Sequence, residues 1–336
     1  MTWADAISGS PGFDYALAMA WRGGIAAFVA AFIVFVLSHW SGIRAEASML
    51  HGGVAGFFVG HFLLNALDGS WAAVVARLWS PHEAIDWLPW LAFAAYVGGL
   101  AGALWRERLE RHSLGVIALV GFYVGVVTRM LWGARDYLPP SELREAGFVP
   151  DAWTPGEAVL GIAATATVWS GVTLAWRWQP AEQRPRLRSF LAVGGALAAT
   201  VFILESGSFV YAAHCGSFAA CLAGCCCGAW VRRTAVGPEA GAVLWTSLYG
   251  AFLLLANVYA SLSWDVACLL AATWWSASAR LPHAVAHAAK RHAGWRWTLF
   301  IACLALAATL VVARRCELTK APSPDAVPSN PYELLK

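Results

Sequence analysis

The feature that most constrains this chain is a succession of long apolar runs, each nearly free of charge and separated by short polar stretches. A helix needs about 20 predominantly apolar residues to cross a bilayer core. Runs matching that template fall at 22–40, 48–66, 87–105, 113–132, 156–176, 189–211, 215–231, 240–260, 264–279 and 297–313. The expected fold is therefore all-α, a polytopic transmembrane helix bundle of about ten spans with no soluble domain. Composition points the same way: 59% of residues are hydrophobic and 13% are charged, whereas a soluble domain carries about 25% charge. The formal charge of +3 is small and the basic residues are scattered at span ends. No polyanionic partner is implied, and nucleic acid is excluded.

The seventh and ninth runs, CGSFAACLAGCCCGAWV and WDVACLLAATWWSASA, are short and rich in small residues. The segment Trp71–Trp90, WAAVVARLWSPHEAIDWLPW, is too polar in its middle to span and is expected to form an interfacial helix feeding the third span. Residues 1–315 form one transmembrane domain in this reading, and the proline-rich tail 316–336 reads as disordered. No Lys or Arg precedes Arg22, so no cleaved secretory signal is expected. Cys215, Cys221, Cys225, Cys226, Cys227, Cys268 and Cys303 lie in or beside apolar runs, with Cys316 in the tail, which is not a disulfide framework.

Orientation follows from the side that holds more Lys and Arg. Loops 41–47, 106–112, 177–188, 232–239 and 280–296 alternate to one side and hold the majority of the 23 basic residues. That side is expected to be cytoplasmic, in a cell (inner) membrane, with both termini and the acidic loop 133–155 outside. The 20 tryptophans, among them Trp21, Trp40, Trp87, Trp105, Trp176 and Trp178, fall at span ends as headgroup belts would.

The run ESGSFVYAAHCGSFAACLAG, followed by short small-residue spans and RR, and the earlier PHEAIDWLPWLAFAAYVGGLAG resemble a family of uncharacterised ten-span bacterial membrane proteins. The resemblance implies a fold and a location, with no activity, cofactor or substrate attached.

Ionisable residues inside apolar runs carry the functional information, because each is costly there unless paired or hydrated. Glu205 in VFILESGSF and Arg129 in VVTRMLW both fall in the outward halves of their spans. At a rise of 1.5 Å per residue they lie roughly 9 and 5 Å from the outer ends, a similar depth that makes an ion pair between neighbouring helices feasible. Asn65 and Asp68 end the second span, and His61 lies one turn deeper. His214 is placed after the sixth span and Asn257 in the eighth. Arg129, Glu205, His214, Asn257, Asn65, Asp68 and His61 are accordingly the candidate substrate-binding residues, lining an outward polar cluster.

Gly52, Gly56 and Gly60 in HGGVAGFFVGH leave one helix face without side chains, open to close approach by another helix. His51 and His61, about 15 Å apart along one helix, cannot share a metal. Cys221 and Cys225 at i, i+4 would suit Cu(I) or Zn, as His283 and His287 would suit zinc, but neither set has a supporting motif. No Walker loop, GxGxxG, GxSxG or CxxCH is present, and no base is placed against Ser206 or Ser208, so an enzyme is not favoured and no cofactor is implied. The leading expectation is a permease-like small-solute transporter or sensor. The alternatives are a non-catalytic packing or assembly subunit of a membrane complex, and a haem- or metal-binding oxidoreductase subunit. The partners envisaged are membrane lipid, a small solute and other membrane subunits.

Overall fold

The computed structural model describes residues 18–318, apart from 68, 105–112, 133, 135–136, 146, 148–151, 178–184, 235 and 279–294. Among them the architecture is all helical, with no strand beyond one isolated bridge between Trp132 and Leu138. The helices are α1 (Ala20–Trp40, opening with a π-helical turn), α2 (Ala45–Asn65), α3 (Trp71–Trp79), α4 (Leu88–Leu104), α5 (Ser113–Leu131) and α6 (Ser141–Glu145). They continue with α7 (Pro155–Arg177), α8 (Pro185–Glu205), α9 (Phe209–Val231), α10 (Ala242–Tyr259), α11 (Trp264–Ser278) and α12 (Trp295–Leu318). Eight segments among the described residues are long and apolar enough to cross a membrane. α5 is a shorter apolar helix in the fourth place, and α11, of 15 residues, stands in the ninth. The order of the helices follows the apolar runs, with eight rather than ten of them long and apolar enough to span, and the described residues form an all-α integral membrane bundle.

Three boundaries differ from the sequence reading. The sixth span stops at Glu205, and a turn through Ser206 and Gly207 leads straight into α9. Gly207 takes φ of +97°, the left-handed conformation that glycine adopts without steric cost. The Ser208 hydroxyl then caps α9 by accepting the Tyr211 N–H at 3.3 Å. Hydropathy alone missed this break because FVYAAHC continues the apolar run beyond it. The interfacial stretch forms only the short α3, followed by a 3-10 turn at Ala84–Trp87. Finally, α12 runs through Cys316 to Leu318, so helix continues past the expected start of the tail.

The core lies along α9 and α10. α9 packs on α1, α2, α8 and α10, and α10 reaches α4, α5, α7 and α11. α1 shows how the sequence sorts its faces: Ala27, Ala31 and Phe35 are wholly buried, while Ile25, Val29, Ile33 and Leu37 remain exposed at helical spacing. An exposed apolar stripe on a span is the face lipid covers. The α2 glycines are packing surfaces. A Cβ on Gly56 would lie 2.6 Å from Ala31 Cβ and 2.7 Å from the Ala27 carbonyl oxygen, and one on Gly52 would lie 2.7 Å from the Ala31 carbonyl oxygen.

Contacts between helix ends, with the tight turns α8–α9 and α10–α11, show which termini lie together. The C-terminal ends of α2, α5, α8, α10 and α12 and the N-terminal ends of α4, α7, α9 and α11 therefore share one end of the bundle, which we call the distal end. Arg314 of α12 donates to both Asp265 oxygens of α11, at 3.1 and 2.9 Å, and joins two helices there. At the opposite end, buried Arg188 of α8 pairs with Glu239 at 3.3 Å.

Candidate functional site

Side chains at Gly56 and Gly60 would hold α2 away from its neighbours. Gly60 is so close to α9 that an added Cβ would collide with the Ser217 hydroxyl. Close approach along this seam brings His61, the next residue on α2, against His214, one turn before Ser217 on α9. The two rings meet edge to face with centroids 4.9 Å apart. Their residues are 3% and 2% exposed.

Each imidazole is held by one nitrogen. His214 Nδ1 lies 2.9 Å from the Val210 carbonyl oxygen, which can only accept, so this nitrogen carries the proton. His61 Nε2 accepts from Asn65 Nδ2 at 2.9 Å, one turn along the same helix. The remaining nitrogens, His61 Nδ1 and His214 Nε2, are buried without a hydrogen-bond partner, as is the Ser217 hydroxyl. Buried polar atoms are nearly always satisfied, so three orphans on one helix seam mark a place where water or a ligand belongs.

Residues between α2 and α4 face His61 and Asn65 across a small cavity. Asp86, in the 3-10 turn, is 4% exposed. Its Oδ2 accepts the backbone N–H groups of His82 and Glu83 at 3.2 and 3.0 Å. A cavity of about 10 Å³, lined by His61, Asn65, Val74, Arg77 and Asp86 among others, separates this turn from α2. That is about the smallest space that holds one water molecule. Trp90 fastens this segment by donating its indole N–H to the Leu78 carbonyl at 2.8 Å.

The structure thus brings together His61, Asn65 and His214 of the expected cluster. His214 is not in a loop after the sixth span but buried in the second turn of α9, because the α8–α9 turn comes earlier than hydropathy indicates. Arg129 is not joined to Glu205. Its guanidinium carbon sits 4.0 Å above the Trp87 ring, at the same end of the bundle, and no ion pair links it to Glu205 among the described residues. Glu205 is exposed and is the last residue of α8 and of its candidate span, rather than about six residues inside it. Asn257 is engaged elsewhere: Tyr137 donates its hydroxyl to Asn257 Oδ1 at 2.8 Å, and Asn257 Nδ2 donates to the Leu262 carbonyl at 2.6 Å. It ties the 133–155 connection to the α10–α11 turn. Asp68, and likewise His283 and His287, lie outside the described residues.

Asp86, Arg77 and Ser217 were not among the sequence candidates. The spacing of Glu83 and Asp86 is that of a capping pair, and Ser217 follows His214 at i+3 on one helix face, so both signals were present in local form. Burial and convergence were not. The Cys221 thiol donates to the Gly53 carbonyl at 3.0 Å and the Cys225 thiol to the Met49 carbonyl at 3.7 Å. Among the described residues no three His, Cys, Asp or Glu side chains come together as a metal site. The His61 and His214 rings are in direct contact, which leaves no space for a haem plane between them. Ser206 and Ser208 make local bonds to helix ends, with the Ser206 hydroxyl donating to the Ile203 carbonyl at 2.7 Å. No protein-family model, curated protein or solved structure matches this chain.

Proposed function

We propose that the protein is a permease-like carrier or sensor of a small solute, engaged at the His61–His214 pair in the cell (inner) membrane. The distal end and both termini face outward in this reading. The observation that carries it is two buried histidines from different helices, in contact, each with one nitrogen fixed and one unpartnered. Ionisable side chains within membrane spans are rare, face the bundle interior or a wet cavity, and mark substrate and ion paths. Asn65 sets the His61 ring, and Asp86 with the α3 residues Val74, Arg77 and Leu78 lines the cavity beside it. Membership of the ten-span bacterial family that the sequence resembles belongs to the same proposal, as does contact with lipid or other membrane subunits.

The test compares the small-molecule and elemental content of cells that overproduce the protein with cells that overproduce the His61→Gln/His214→Gln variant. A solute whose level changes with the protein and not with the variant is the expected result. Equal content in both, with the protein recovered in stoichiometric complex with another membrane subunit, would replace the carrier reading with an assembly role.

A further inference from the structure

We infer that α3 is a lid over the cavity beside His61 and Asn65, latched by the Trp90 indole. The inference rests on the reading of the His61–His214 pair as a solute site and assigns the way in.

Space decides that something must move. The cavity beside His61 and Asn65 has a volume of about 10 Å³, enough for one water molecule and nothing larger. A solute reaches these side chains only when a wall of the cavity withdraws. The walls are His61 and Asn65 of α2, Asp86 of the 3-10 turn, and Val74, Arg77 and Leu78 of α3.

These walls are not equally fixed. Met49, Leu50, Phe57 and Leu64 are buried along α2, and Ile85 and Leu88 are buried on either side of Asp86 and Trp87. The Asp86 carboxylate is also held by two backbone N–H groups. On α3 only Val74 is buried, and every other residue apart from half-buried Leu78 is exposed. A segment with so little buried apolar surface opens at a small fraction of the cost of opening the bundle, and segments that close over ligand sites are drawn from this low-stability end. α3 is therefore the wall that moves.

One bond closes it. The last carbonyls of a helix have no partner within that helix. The Leu78 carbonyl, in the final turn of α3, is taken by the Trp90 indole N–H at 2.8 Å, and the Trp79 ring meets the Trp90 ring edge to face with centroids 6.4 Å apart. Trp71, Val75 and Trp79 recur every four residues on α3 and are exposed by 58, 52 and 75%. Such an apolar stripe ending in indole rings rests at the headgroup level of a bilayer, so α3 can lift from Asn65 without giving up its lipid contact.

The test uses the full-length protein in lipid nanodiscs and compares the wild type with Trp90→Phe, which keeps a ring at the surface and removes the latch donor. Mass spectrometry reads amide hydrogen exchange along α2, α3 and α4, and the modification of each histidine by diethyl pyrocarbonate, a reagent much larger than one water. In the wild type the α3 amides should exchange faster than those of α2 and α4, and buried His61 should react more slowly than exposed His82. One net hydrogen bond shifts an opening equilibrium about fivefold. Trp90→Phe should therefore speed α3 exchange and His61 modification by about fivefold each, and leave His51, on the same helix away from the cavity, unchanged. α3 amides as protected as those of α2 and α4 in the wild type would make α3 a fixed wall and overturn the lid. Faster α3 exchange without faster His61 modification would also overturn it, since the site would then be reached by another way. Equal acceleration at His51 and His61 would show general loosening and overturn it as well. A lid that opens as described in a protein whose overproduction leaves cell content unchanged keeps the lid and rejects the carrier. Cell content that changes while His61 modification ignores the latch keeps the carrier and rejects the lid.

Discussion

Arg129 shows how one side chain resolves the cost of charge near a membrane. A guanidinium over an indole face gains an electrostatic attraction of about 0.5–2 kcal/mol, more as water is excluded. The ring of Trp87 provides that face 4.0 Å away. A double-mutant cycle of Arg129→Ala with Trp87→Ala, read by thermal unfolding in detergent, should give a coupling of about 0.5–1 kcal/mol. The cycle of Arg129→Leu with Glu205→Leu should be additive, since no bond joins them. At the same scale, Asn257→Ala removes two side-chain hydrogen bonds, each worth about 1 kcal/mol net. It should lower stability by about 1–3 kcal/mol, whereas Tyr137→Phe removes only the hydroxyl bond and should cost about half as much. Similar depth in sequence placed Arg129 and Glu205 together, but which partner a long side chain reaches depends on helix rotation and on segments such as Ala84–Trp87 that hydropathy does not orient.

At the scale of elements, the α1–α2–α9 contact depends on missing side chains. Gly56→Val would add atoms where Ala31 Cβ stands 2.6 Å and the Ala27 carbonyl 2.7 Å from even a bare Cβ. Backbone carbonyls cannot rotate away, so α2 must shift and the loss should be at least the 1–3 kcal/mol typical of overpacking, roughly. The same shift would separate His61 from His214, so this variant should weaken any ligand bound at the pair as well as the fold. Gly121, by contrast, has nothing within 4 Å of its added Cβ. Gly121→Val should be nearly neutral in the same unfolding measurement, and equal losses at both positions would show that α2 does not pack as described. The α8–α9 turn is a separate case: Gly207→Val forces a branched residue to φ of +97°, at a cost of about 1–3 kcal/mol. The glycine spacing was legible from the sequence, as was its role in packing, because a four-residue repeat lies on one helix face whatever surrounds it. The turn was not, because a three-residue break inside an apolar run leaves mean hydropathy almost unchanged.

At the scale of the whole molecule, reporter fusions at Leu143 and Gln183 should give opposite readings, outside for Leu143 and cytoplasmic for Gln183. Matching readings would overturn the alternation of helices between the two ends of the bundle. The tryptophans divide between the two environments that an amphipathic ring tolerates. Trp21, Trp40 and Trp132 are largely exposed, as a headgroup belt requires, but Trp176, Trp245 and Trp274 are fully buried. Trp274 stacks on Tyr249 with ring centroids 4.4 Å apart. Exposure at a helix end is compatible with a belt for Trp21 and Trp40, whereas Trp176 is core.

What the sequence by itself determined is everything that depends on length and periodicity. The all-helical class, the order and approximate limits of the membrane segments and the glycine seam on α2 follow from how many apolar residues a bilayer demands and how often a helix turns. Only the tertiary structure decided which polar residues meet. His61 and His214 are far apart in the chain, and their contact depends on the rotation of α2 about its axis, the early start of α9 and the absence of a side chain at Gly60. None of these changes hydropathy, and all of them act through van der Waals contact between helices, which exists only once the bundle is assembled.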